Sequence, residues 1–165
     1  MSDVQIRRLQ ESDLPAFKAI RLESLRLVPS AFQTTLADWE SLPNDEWLNR
    51  VRKPVFVAFR SGEPVGIMGL LRQQGVKRAH RATIIMVYVR ESERGRGLAA
   101  DLLQTTIAFA RDEGVWQLEL NVNGNNAEAI RFYERFGFRQ IGRIPAATLE
   151  DGKEVDELMM VSRLT

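Results

Sequence analysis

The sequence predicts one α/β domain spanning residues 1–165, built on a mixed, mostly antiparallel sheet with helices on both faces. Three observations carry this expectation. A chain of 165 residues matches one domain at about 150 residues each. Between positions 55 and 89, three apolar runs follow one another through short turns, the pattern of an antiparallel meander. From Gly97 onward, helical and strand periods alternate, the pattern of strand-helix-strand units on a sheet.

Val4 to Leu9 alternates apolar and polar residues and reads as a half-buried strand. Ser12 or Asp13 then caps a helix with Pro15 in its first turn and an apolar stripe of Leu14, Phe17, Ile20, Leu22 and Leu25. Val28-Pro29-Ser30 ends it, and Phe32 to Pro43 carries no clear period. Asn44-Asp45-Glu46 opens a helix containing Trp47, Leu48 and Val51, which Pro54 closes off. Val55 to Phe59, Val65 to Leu71 and Ala82 to Val89 are the meander strands, with turns at Ser61-Gly62-Glu63 and Gln74 to Arg78. Gly97 to Glu113 is a long helix with Leu98, Leu102, Leu103, Ile107 and Ala110 inward, stopped by Gly114. Val115 to Val122 is a strand, and Asn126 to Phe136 a helix closed by Gly137. Phe138 to Ile144 and Glu157 to Arg163 are the last strands.

Composition narrows the chemistry. Without cysteine there is no disulfide scaffold, thiolate metal site or thiol nucleophile. With 23 basic and 22 acidic residues, no global field draws the chain to nucleic acid or an anionic membrane. The longest apolar run is too short to span a bilayer, and Met1-Ser2-Asp3 shows no signal pattern, so a cytoplasmic location is expected. His80 is the sole histidine and lies among Lys77, Arg78 and Arg81; no metal site is expected, and the ring is read as solvated.

Two segments carry chemistry. After the Ile84–Val89 strand, Arg94-Gly95-Arg96-Gly97 opens a helix. Glycines permit close backbone approach, the first N–H groups of a helix lack internal partners, and two arginines add positive charge. The segment therefore reads as a phosphate or pyrophosphate cradle, and equally as a tight turn with solvated arginines. Gly95-x-Gly97-x-x-Ala100, with Glu119 further on, also fits the spacing of a dinucleotide fingerprint. Against that, the turn follows a meander, five residues separate Val89 from Gly95, and Glu119 lies inside a strand. The second segment begins at Asn126, a suitable helix N-cap whose amide can instead face a ligand. Asn126, Ala129, Ile130 and Tyr133 share one helical face, where the Tyr133 hydroxyl is either a proton donor in a cleft or a satisfied core group.

Arg94-x-x-Gly97-x-Ala99 resembles the Q/R-x-x-G-x-G/A motif of the GNAT superfamily of acyl-CoA dependent N-acetyltransferases. Asn126-x-x-Ala129-x-x-x-Tyr133-x-x-x-Gly137-Phe138 resembles its C-terminal motif. The two occur in the right order and separation, and the element order agrees over almost the whole chain. The ending Ala147 to Met160 resembles members acting on small amines, some of them amino-acid acetyltransferases.

The resemblance implies that the parallel strands ending at Val89 and spanning Val115–Val122 splay apart to admit acetyl-CoA as co-substrate. Val87 and Val89 would pair with its pantetheine arm. The N–H groups of Arg94, Gly95, Arg96, Gly97, Leu98 and Ala99 would hold the pyrophosphate. A backbone N–H between Val87 and Val89 would stabilise the oxyanion. Tyr133 would protonate the leaving thiolate. Glu119 is the first candidate for the base; the strand where some members carry a glutamate has no carboxylate here, a departure from the family pattern. Phe32, Trp39, Trp47 and Tyr88 are candidates to shape the acceptor pocket. The acceptor implied is the amine of a small molecule, with neither nucleic acid nor a membrane as partner. Homodimers are common among similar enzymes. A non-catalytic acyl-CoA sensor is the competing reading.

Overall fold

The structure, a computed structural model, describes residues 3–164; the reading of Met1 and Ser2 falls outside them. Strands β1 (Val4–Arg8), β2 (Val55–Arg60), β3 (Glu63–Arg72) and β4 (Arg81–Val89) pair antiparallel in sequence. β5 (Gln117–Asn123) joins β4 in parallel, and β7 (Lys153–Arg163) lies between β5 and β6 (Arg139–Glu150). The result is one seven-stranded sheet ordered β1-β2-β3-β4-β5-β7-β6, the mixed, mostly antiparallel sheet expected.

Strand alternation sends side chains to two cores. Phe56, Ala58, Met68 and Leu70 meet Leu98, Leu102 and Leu103 of α4 (Leu98–Asp112) on one face. Tyr133 of α5 (Ala127–Arg135) joins the same core. Val55, Val57, Phe59 and Ile67 meet Phe17, Ile20 and Leu25 of α1 (Leu14–Leu27) on the other. The short helices α2 (Leu36–Glu40) and α3 (Asn44–Val51) close that second layer through Trp39, Trp47 and Val51. Gly66 lets α4 approach the sheet, since a Cβ there would come within 3.1 Å of Leu102 Cδ1.

Several local expectations change. Glu11–Asp13 forms a 3₁₀ turn, and Asp13 accepts from Gln10 N at 2.8 Å and pairs with Arg7 rather than capping α1 with its side chain. Arg21 and Ser24 join the buried face of α1, while Leu22 is only half-buried. The segment without a clear period contains α2, whose Thr35 caps Asp38 N at 3.1 Å while Asp38 returns a bond to Thr35 N at 2.9 Å. The last hairpin runs to Glu150 and restarts at Lys153, well beyond the expected strands. Pro145 is tolerated because β6 is an edge strand with a register shift between Ile144 and Thr148. Among the described residues, no helix is long and apolar enough to cross a membrane.

Candidate active site

β4 and β5 pair only at Arg81–Gln117, Ala82–Leu118 and Thr83–Glu119, although β4 continues to Val89 and β5 to Asn123. Past Thr83 the two strands diverge, and the edge of β4 facing β5 is left without a strand partner. A bulge reinforces the divergence. Met86 has φ +56°, and the β3–β4 register shifts between Ile67 and Gly69. A Cβ at Gly69 would sit 2.6 Å from Met86 Cε and 3.0 Å from Ile85 Cγ1, so any larger residue would have to push those side chains aside.

A cavity of about 490 Å³ opens at this divergence. Val87 and Val89 line it from β4, Asn126 and Tyr133 from the α5 segment, and Arg94, Gly95, Gly97, Leu98 and Ala99 from the loop into α4. Of the cradle residues named from sequence, Arg96 alone does not line it. Gly97 is the N-cap of α4 with φ +82°, and no side chain caps that end. The first N–H groups of a fifteen-residue helix are thus left for a ligand, with the positive end of the helix dipole behind them. The loop is held from outside. Glu93 accepts two bonds from Arg60, both 2.7 Å, and Arg90 bridges Glu23 at 2.7 Å and Glu63 at 3.2 Å. Arg94 Nε donates to Val89 O at 3.0 Å. Asn126 does cap α5, accepting from Ala129 N at 3.1 Å.

Tyr133 is 6 % exposed, and its ring packs edge-on against Phe132 and Phe138. Its hydroxyl has no hydrogen-bond partner among the described residues, and burial pushes its pKa well above that of an ordinary phenol. Tyr88, on the same wall, is committed: its hydroxyl donates to Glu23 Oε2 at 2.8 Å, and burial, then that carboxylate, push it up to about 12.

A second cavity, about 510 Å³, meets the first. Met86 lines one and Val87 the other, and Ala31 borders both. Phe32 and Trp39 wall the second cavity, as the sequence suggested; Trp47 is instead core, 5.5 Å from Phe17. Tyr88 lines the first cavity and not this one. Its polar lining includes Arg21, Glu46, Arg50, Lys53, Asn121 and Glu157. Glu157 is buried and accepts from Gln33 Nε2 at 2.6 and 2.7 Å.

Glu119 is not brought to either cavity. It accepts from Arg81 at 2.5 and 2.7 Å, and that hydrogen-bonded pairing holds its carboxyl below the usual range. His80 is half-buried and stacked on Trp116 at 4.4 Å, not solvated. No group of His, Asp and Glu among the described residues is placed to hold a metal ion. Arg21 escaped the sequence reading, yet it left a signal: it sits within the buried stripe Phe17, Ile20, Ser24, Leu25, where a cation needs a reason. Glu157 left none, since it lies in a strand otherwise read by its apolar neighbours.

The family model described as "Acetyltransferase (GNAT) family" matches residues 18–138. The chain is 29 % identical over 164 residues to the L-methionine sulfoximine/L-methionine sulfone acetyltransferase of Pseudomonas aeruginosa, covering 94 % of this chain and 91 % of that one. It is 28 % identical over 144 residues to the mycothiol acetyltransferase of Brachybacterium faecium, covering 87 % of this chain and 43 % of that longer protein. In fold it is similar to a Salmonella typhimurium protein described as an acetyltransferase and solved with its cofactor acetyl-CoA. The TM-score is 0.84 at 22 % identity, over 99 % of this chain and 95 % of that one.

Proposed function

Because the chain belongs to the acetyltransferase (GNAT) family, we propose that it moves an acetyl group from acetyl-CoA to the primary amine of a small molecule. The observation that carries this is one cavity that gathers an open strand edge, an uncapped helix N-terminus and an unpartnered tyrosine hydroxyl, and that joins a second cavity at Met86–Val87. The first cavity holds the donor and the second the acceptor. Residues 1–165 act as one domain, since all seven strands share one sheet.

The pantetheine arm lies along β4, paired with the backbone of Val87 and Val89 as an added strand would be. The backbone N–H groups at the start of α4 hold the pyrophosphate, with Arg94 and Arg96 adding charge. The neutral amine nitrogen attacks the thioester carbonyl carbon, and a backbone N–H at Val87 to Val89 stabilises the oxyanion. The intermediate collapses with cleavage of the C–S bond, the thiolate takes the Tyr133 proton, and the proton shed by the acylated nitrogen returns to the tyrosinate through solvent, leaving the neutral amide. Burial keeps the Tyr133 hydroxyl protonated but also makes it a weaker acid, so it acts through its position, donating as the C–S bond breaks.

The proton lost by the amine needs an acceptor, since an alkylammonium has a pKa of about 10. Glu119 is engaged by Arg81 and faces neither cavity, so we do not retain it as the base. Two carboxylates line the acceptor cavity. Glu46 is paired with Arg50 at 3.0 Å, whereas Glu157 is held only by the Gln33 amide. Glu157 is therefore the group we assign to the amine's proton. The test is thiol release from acetyl-CoA in the presence of small amines, with mass spectrometry of the acetylated product. Binding of acetyl-CoA with no thiol release across an amine panel would favour the sensor reading instead.

A further inference from the structure

Arg21 is an anomaly of the second cavity. It is 3 % exposed, yet among the described residues no carboxylate pairs with it. Its guanidinium lies 4.3 Å from the Trp39 ring centroid and 4.6 Å from that of Phe32. Among the described residues its side chain makes one polar contact, Nη1 to Ser24 Oγ at 3.5 Å, and Nε is buried without a partner. Burial, and then the nearby Arg50, push its pKa down to about 9, so it still carries its charge at neutral pH. Arg50 lies 4.4 Å from the same indole centroid and also lines the cavity, as does Lys53. Stacking on aromatic rings offsets part of the desolvation. It leaves the donors themselves unmet, and a buried unpaired cation is costly unless an anion completes it. At another part of the same cavity stands Glu157, held by a neutral amide. The cavity thus offers an anion site and a carboxylate.

We propose that Arg21 determines acceptor specificity: the acceptor is an amine that also carries a carboxylate, which binds the free Arg21 donors while its amine faces Glu157 and the Met86–Val87 junction. The proposal rests on the reading of the second cavity as the acceptor site. Charge-assisted bonds to a preformed guanidinium select such a molecule over an amine of the same shape without the carboxylate. Arg50 assists by adding positive potential and not by direct necessity, since Glu46 already engages it.

The test compares α-amino acids with their decarboxylated amines: L-phenylalanine with phenethylamine, L-leucine with isoamylamine, L-tyrosine with tyramine. Within each pair the wild-type protein should favour the acid in kcat/KM by about tenfold to a hundredfold, the range for hydrogen bonds to a charged group. Arg21→Gln should collapse that ratio toward one. Should Arg21→Gln fail to fold, the half-exposed Arg50→Gln should lower the same ratio by a smaller factor. A merely structural Arg21 would change both members of a pair alike. Equal use of both members, a preference for the amines, or acetylation of no acid overturns this proposal. If thiol release with amines persists in those cases, the acetyltransferase reading stands; absence of acetyl-CoA binding overturns both.

Discussion

Tyr133→Phe separates chemistry from folding because of where the hydroxyl sits. The ring packs against Phe132 at 5.2 Å and Phe138 at 5.6 Å, contacts that phenylalanine keeps. The hydroxyl makes no hydrogen bond within the described residues, so its removal forfeits none of the ~1 kcal/mol a typical bond contributes. We expect a stability change within about 0.5 kcal/mol, or roughly 2 °C in Tm for a chain of this size. Catalysis should respond differently. Proton donation by a positioned acid contributes about 10²–10⁴-fold. A thiol of pKa about 8.5 leaves fairly well unaided, so the loss should lie near the lower end, about tenfold to a hundredfold. That corresponds to roughly 1.4–2.7 kcal/mol in the barrier. Single-turnover thiol release, which product release does not mask, measures it, and calorimetry should find acetyl-CoA affinity within about twofold of wild type. An unchanged single-turnover rate would refute the donor role. A large fall in Tm would show that the hydroxyl holds the fold together, contrary to the contacts described.

The cradle gives two further expectations. Gly97→Ala meets no atom within 4 Å, so its cost is that of φ +82° alone, about 1–2 kcal/mol, read as a Tm fall of roughly 2–8 °C together with weaker acetyl-CoA binding. Arg94→Glu should weaken acetyl-CoA binding severalfold at low salt and less at high salt, by titration at two ionic strengths. Stability should also depend on acid. Arg7 holds Asp13, and Arg81 holds Glu119, below their usual ranges. Burial pushes Glu23 up, but bonds from Arg90 and Tyr88 outweigh it and lower its pKa too. Groups depressed in the folded state stabilise it above their unfolded pKa and lose that contribution as pH falls through the folded one. Denaturant midpoints should therefore stay level from pH 7 to about 5 and decline below about 4. A midpoint unchanged at pH 3 would contradict these pairings.

The order of elements was readable because most of them announce their ends. Gly114 and Gly137 take positive φ at helix stops, and Asp151-Gly152 does so at the last hairpin. The apolar period of α4 mapped onto its buried face almost residue for residue, with Thr106 taking the place given to Ile107. What escaped depends on contacts distant in sequence. α2 is five residues long, held by the Thr35–Asp38 box and by Trp39 against Phe17, and shows no period over so short a span. Most of the first cavity's lining was readable because it lies in two contiguous stretches, Val87 to Ala99 and Asn126 to Tyr133. Of the second cavity only the aromatic wall, Phe32 and Trp39, was readable; Arg21, Arg50, Asn121 and Glu157 come from four separate elements. Glu119 was the first candidate base, but register places Thr83 opposite it and Arg81 two residues along the same face, and the Arg81 ion pair takes it up.

Thermal unfolding of the intact chain with acetyl-CoA, and in parallel with NAD, tests the reading of the β4–β5 gap most directly. At a hundred times its dissociation constant acetyl-CoA should stabilise the fold by about 2.7 kcal/mol, a Tm rise of roughly 5–11 °C, while NAD leaves Tm where it was. Stabilisation by NAD with none by acetyl-CoA would contradict the account.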